Sequence, residues 1–154
     1  MLDRFIKWAE ANGWNIVTDS EKIELPEEIR KRYAVPDKWY SFICRLRICE
    51  NSSQDKWFLT PLDFADGGND ESFRWNEFEL MSLEWTDNDS SVRKFWDRHM
   101  PIVMSVAGGY SYYAIDTENG RIVTGCEPEF EEARGVAESF EEFIEKIIAG
   151  EIVL

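Results

Sequence analysis

His99 is the only histidine in the chain, so a Cys-His or Ser-His-Asp nucleophilic site would have to be built around it. It stands between Arg98 and Met100, just before Pro101, and reads as a structural or surface imidazole rather than a catalytic base. Zinc chemistry lacks ligands as well: one histidine and the three cysteines Cys44, Cys49 and Cys126 offer no close pair, and the Cys44 to Cys49 gap is not a C-x-x-C motif. The expectation is no catalytic residue, no metal and no cofactor. An odd number of cysteines without metal-type spacing fits buried thiols in a reducing compartment.

Oxygen ligands are plentiful but unpatterned. Asp63, Asp66, Asp70 and Glu71 lack the D-x-D-x-D-G loop and later glutamate of an EF-hand, and Asp87-Asn88-Asp89 reads as a turn before Ser91. Paired carboxylates for glycoside hydrolysis can always be proposed among 31 acids, so they carry no weight. No glycine loop with a following lysine cradles a phosphate, and Gly108-Gly109 is a turn device.

The distribution of acids says more. Residues 127 to 154 hold nine glutamates against Arg134 and Lys146, a net charge of −7, half of the total −14. A solvated helix face accounts for part of this. In the segment Glu127, Glu129, Glu131 and Glu132, however, Phe130 sits amid the carboxylates, an arrangement that can anchor a partner through the ring and steer it through the charges. The expected partner-binding residues are therefore Glu127, Glu129, Phe130, Glu131 and Glu132, with Asp63, Asp66, Asp70, Glu71 and Trp57 as a second acidic loop and its neighbouring aromatic.

The elements that must position these residues can be read from periodicity and caps. Leu2, Phe5, Ile6 and Ala9 predict a first helix ending at Gly13, followed by a short strand over Trp14 to Val17. Leu25-Pro26-Glu27-Glu28, with Arg30, Lys31 and Arg32 after it, predicts a short helix from Pro26 to Tyr33. Alternation over Tyr40 to Cys49 predicts a strand, and Lys56 to Leu59 its hairpin return. Asp63 to Ser72 has loop chemistry. Trp75, Phe78, Met81 and Trp85 predict one helix, and Ser91 caps a second up to Pro101, with Trp8, Trp75, Trp85 and Trp96 buried. Ile102 to Ala107, Tyr110 to Asp116 and Arg121 to Cys126 predict a three-stranded meander. Ser139 and Glu142 at capping-box spacing, the stripe Phe140, Phe143, Ile144, Ile147 and Ile148, and Gly150 predict a final helix. Strands are grouped rather than alternating with crossover helices. The class is therefore α+β, one domain over residues 1 to 154, with a largely antiparallel sheet flanked by helices.

Composition narrows the function. A net charge of −14 opposes broad contact with DNA, RNA or anionic lipid, and favours a basic protein partner. With 44% hydrophobic residues the chain can build a core of its own. No apolar run reaches membrane-spanning length and the first residues lack the apolar stretch of a signal peptide, so the expected compartment is the cytoplasm.

Four stretches, Pro101-Ile102-Val103-Met104-Ser105-Val106-Ala107-Gly108-Gly109, Tyr112-Tyr113-Ala114-Ile115-Asp116, Asn119-Gly120-Arg121-Ile122-Val123 and Ser139-Phe140-Glu141-Glu142-Phe143-Ile144, occur in an order that resembles the SUKH superfamily, and Leu25-Pro26 is similar to its N-terminal Leu-Pro motif. The resemblance implies an α+β fold and, for bacterial members, an immunity protein that binds and neutralises a toxin domain, frequently a nuclease. Eukaryotic members imply a regulatory scaffold instead. The expectation is a non-enzymatic antitoxin for a basic toxin, with a scaffold module as the alternative and no reading of oligomeric state.

Overall fold

The computed structural model describes residues 1–65, 73–87 and 89–154. Its centre is a seven-stranded antiparallel sheet whose strands follow in chain order. They are β1 (Asn15–Thr18), β2 (Leu46–Glu50), β3 (Lys56–Phe58), β4 (His99–Ser105), β5 (Ser111–Asp116), β6 (Ile122–Cys126) and β7 (Arg134–Ala137). Helices α1 (Leu2–Ala11), α2 (Glu27–Arg32) and α3 (Asp37–Ile43) precede β2. Helices α4 (Pro61–Ala65), α5 (Glu77–Trp85) and α6 (Asp89–Arg98) lie between β3 and β4, and α7 (Phe140–Ala149) ends the fold. The α+β class holds.

Register explains the layering. The cross-strand row Trp57, Met104, Tyr112 and Gly125 lies on one face, and the next row, Phe58, Val103, Tyr113 and Thr124, on the other. The Phe58 row meets α1, α3 and α7: Phe5 packs on Phe42 and Phe58 with centroids 5.1 Å away in both cases, and Phe143 packs on Tyr113 at 5.0 Å. The Tyr112 row meets α5 and α6 through Phe78 at 6.1 Å and Trp96 at 4.9 Å. Both faces are thus covered, and the buried apolar side chains apart from Cys44 form one cluster.

Local signals give the expected elements at both ends. Ser139 Oγ accepts from the Glu142 N–H at 3.2 Å, while the Glu142 carboxylate accepts from the Glu138 N–H at 2.7 Å, one residue before the usual capping-box partner. Gly150 closes α7 in the left-handed conformation.

Several expectations are corrected. The strand over Tyr40 to Cys49 is α3 followed by β2: Pro36 stands at the N-cap and Trp39, Phe42 and Ile43, spaced for one helical face, are buried. Within β2 the alternation itself breaks, because Val17 pairs with Ile48 and Thr18 with Leu46, leaving Arg47 as an extra residue. Leu46 and Cys49 are consequently buried while Ile48 is exposed. Asp63, read as loop, lies in α4, where Thr60 and Asp63 form a capping pair: the Asp63 carboxylate accepts from the Thr60 N–H at 2.7 Å and from its hydroxyl at 2.8 Å. The meander gains β7, paired with β6, and β4 begins at His99 rather than after Pro101. Finally, Trp85 is 87% exposed, and Cys126 is exposed while Cys44 and Cys49 are buried. Among the described residues no helix is long and apolar enough to cross a membrane.

Candidate functional site

The loop joining β6 to β7 is seated on the Tyr112 face of the sheet. Phe130 is 3% exposed and stacks on Phe78 of α5, with centroids 4.7 Å apart and planes 17° from parallel. The Tyr112 hydroxyl donates to the Phe130 carbonyl at 2.5 Å, and the Glu127 N–H donates to the Tyr110 carbonyl at 2.9 Å. Gly125 makes this approach possible. A Cβ there would lie 2.6 Å from the Phe130 carbonyl oxygen and 2.6 Å from the Tyr112 hydroxyl, so only hydrogen fits.

With Phe130 holding the loop down, Glu127, Glu129 and Glu131 form one wall of a cleft of about 900 Å³. Helix α5 forms another: the face that buries Phe78 continues through Met81 and Ser82 to Trp85, where the helix ends and the indole stands in solvent. Helix α6 and the start of β4 complete it with Val92, Phe95 and His99. Two contacts between helices hold α5 and α6 in place. Arg32 of α2 donates to both Glu79 oxygens of α5, at 2.8 and 2.9 Å, and to Asp97 of α6 at 3.0 Å. The Tyr33 hydroxyl donates to the Trp96 carbonyl at 3.0 Å.

His99 stacks on Phe95 at 4.1 Å, and its Nδ1 donates to the Phe95 carbonyl at 2.9 Å. That bond leaves Nε2 as the lone-pair nitrogen. Burial pushes the imidazole below its usual range, against the smaller upward pull of that carbonyl, which favours the neutral ring at pH 7. Arg98, also on the cleft, is bound to Asp116 at 2.5 Å and Glu118 at 2.7 Å.

Charge separates this loop from four of the five other acids of the C-terminal segment. Glu138 pairs with Arg121, Glu141 with Lys38, Glu142 with Lys146 and Glu145 with Arg4. Glu127, Glu129, Glu131 and Glu132 have no ion pair among the described residues. A hydrogen bond and like charge from Glu132 push the Glu129 carboxyl above its usual range. Glu131 Oε1 is buried without a hydrogen-bond partner among the described residues.

The residues expected to meet a partner therefore divide. Glu127, Glu129, Phe130 and Glu131 line the cleft together, and Glu132 stands beside them. Phe130, expected as the anchor, is instead a core side chain, because Phe78 and the sheet offer its ring more apolar contact than solvent does. Asp63 is engaged in the α4 cap, and Trp57 is half-buried with its ring edge-to-face on Phe73 at 5.7 Å; neither lines the cleft. Asp66, Asp70 and Glu71 lie outside the described residues. Sequence reading missed Trp85 because its heptad-like spacing with Phe78 and Met81 is that of a core residue. Its nearness to Glu84, Thr86 and Asp87, which begin a polar run, was the available signal. Among the described residues no group of three or more His, Cys, Asp or Glu is placed to hold a metal ion.

No family model, curated protein or solved structure matches the chain.

Proposed function

We propose that this protein is a non-enzymatic binding module whose cleft and Glu127–Glu132 loop engage a basic protein. In line with its resemblance to the SUKH superfamily, it acts in the cytoplasm as an immunity protein that covers the cationic groove of a toxin domain. One observation carries the binding reading: Glu127, Glu129 and Glu131, without ion pairs among the described residues, share a cleft with an indole that is 87% exposed, while Glu138 and the α7 acids Glu141, Glu142 and Glu145 are paired within the fold. A partner's Lys and Arg relieve the repulsion in the loop and gain charge-assisted hydrogen bonds. Covering Trp85 adds the apolar, aromatic term that concentrates binding energy at interface centres. Toxin immunity itself rests on the resemblance.

The test pairs the protein with a basic toxin domain encoded beside its gene. Stoichiometric addition is expected to abolish the toxin's activity, and the E127K/E129K/E132K variant to associate about tenfold more slowly at low salt with an unchanged circular dichroism spectrum. Full toxin activity at about tenfold molar excess of the wild-type protein, a ratio at which a tight complex is saturated, would sink the immunity reading. Binding without inhibition would turn it into the scaffold alternative.

A further inference from the structure

We infer that the cleft between α5, α6 and the Glu127–Glu132 loop takes a protruding segment of the partner in which one large apolar side chain is flanked by Lys or Arg. This rests on the reading of the protein as a binder of basic proteins, and specifies what its site recognises.

The cavity has two chemistries side by side. Met81, Val92, Phe95 and the body of Trp85 present carbon, in a volume of about 900 Å³, within the range that encloses a substantial ligand rather than a single methyl group. Glu127, Glu129 and Glu131 present carboxylates on the adjoining wall, and none has an ion pair among the described residues.

Each half excludes a class of occupant. A wholly apolar guest would strip water from three carboxylates and return no counter-charge. A wholly basic guest would leave the indole and the Phe95 edge in water. An acidic or phosphorylated guest would meet like charge from three glutamates and Glu118, and of the cleft's cations Lys94 and Arg98 the latter is already bound to Asp116 and Glu118. A segment combining both properties satisfies both walls, its Lys or Arg meeting the carboxylates while its apolar side chain meets carbon. Concavity adds the last condition, since a flat protein surface cannot fill a cleft and a side chain that projects can.

The probe is a fluorescein-labelled peptide, Gly-Arg-Lys-Phe-Arg-Gly, titrated with the 154-residue chain by fluorescence anisotropy at low and high salt. Saturable binding is expected. Replacing the peptide's Phe by Ala, or Trp85 by Ala in the protein, should each weaken it at least about tenfold, as for a central aromatic anchor. The E127Q/E129Q/E131Q variant should weaken it comparably and flatten its salt dependence. Because the Trp85 indole is exposed and Glu→Gln keeps the shape of each side chain, unchanged melting curves will show that these variants are folded. Absence of saturable binding, or binding indifferent to Trp85→Ala, would overturn the inference. If the peptide fails while the whole basic toxin domain still binds and E127K/E129K/E132K still slows it, the segment is wrong and the binding reading stands. If the toxin domain also fails to bind, the binding reading falls with it.

Discussion

Tyr112→Phe removes one oxygen atom and tests whether the acidic loop is held as described. The hydroxyl is buried, with Tyr112 1% exposed, and its acceptor is the Phe130 carbonyl at 2.5 Å on a residue that is 3% exposed. Deleting the donor opens little space but leaves that carbonyl unpaired away from water, a cost of about 1–3 kcal/mol. For a domain of this length each kcal/mol shifts the melting midpoint by roughly 2–4 °C, so a fall of roughly 2–12 °C is expected. The loss should be local as well as global, because the hydroxyl is one of few anchors of the loop, beside the Phe78–Phe130 stack, the ring contact of residue 112 with Phe130 and the Glu127 N–H bond to Tyr110. Amide exchange at residues 127–132 should therefore accelerate more than in β4 and β5. Gly125→Ala attacks the same contact from the other side: its Cβ would stand 2.6 Å from the Phe130 oxygen, for an overpacking cost of about 1–3 kcal/mol. Since both changes act on one contact, the double variant should lose less than the two losses added, by at least about 0.5 kcal/mol. Urea unfolding followed by tryptophan fluorescence, with hydrogen exchange read by mass spectrometry, measures all three. A Tyr112→Phe stability within about 0.5 kcal/mol of wild type, together with unchanged protection at 127–132, would refute the reasoning.

Other perturbations address the scaffold and its charges. Glu79→Ala should cost about 2–4 kcal/mol in urea unfolding, somewhat below the usual figure for a broken buried pair because Arg32 keeps Asp97 and reaches solvent; a loss below about 1 kcal/mol would mean that the pair does not clamp α2 to α5. The Asp116 carboxyl is held below its usual range, chiefly by its hydrogen bonds from Arg98. Its folded pKa thus lies under the unfolded value of 3.8, so its stabilisation is full above that value and lost as pH falls through the folded one. Asp116→Asn should therefore destabilise the protein at neutral pH and flatten the stability profile below about pH 4, and an unchanged acid limb would contradict this. Glu129 shifts the opposite way in the free protein, upward through Glu132. A cationic partner favours its ionised form, so at acidic pH, where the free carboxyl is partly protonated, binding releases a proton and affinity should fall as pH is lowered; titration calorimetry in two buffers at acidic pH detects that proton, and its absence would place Glu129 outside the interface.

The legible parts of the fold were those specified by neighbours in the chain. The α7 cap and stripe, the glycine end of α1 and the turns around Gly108-Gly109 and Gly120 each depend on residues a few positions apart. Residues 39 to 49 were ambiguous because Trp39, Phe42 and Ile43 satisfy a helical face while Phe42, Cys44, Leu46 and Ile48 satisfy a strand face, and proline at the N-cap with burial against Phe5 decides for the helix. Strand β7, Arg134-Gly135-Val136-Ala137, has no apolar alternation of its own and exists because β6 offers an edge to pair with. At the site, the cluster of glutamates was visible as charge, but the roles of its aromatics were exchanged: Phe130 is drawn inward by Phe78, and Trp85 is left outside where α5 outruns the core.

Composition, caps and turn residues therefore determined the α+β class, the helical and strand character of most segments and the acidic surface, since each depends on totals or on residues within a turn or two. Only the tertiary structure decided which acids stay unneutralised. Arg4 reaches Glu145, Lys38 reaches Glu141 and Arg121 reaches Glu138 across long stretches of chain, while no cation comes within pairing distance of Glu127, Glu129, Glu131 or Glu132 among the described residues. Charge attraction depends on separation in space, and that separation does not exist until the chain has folded.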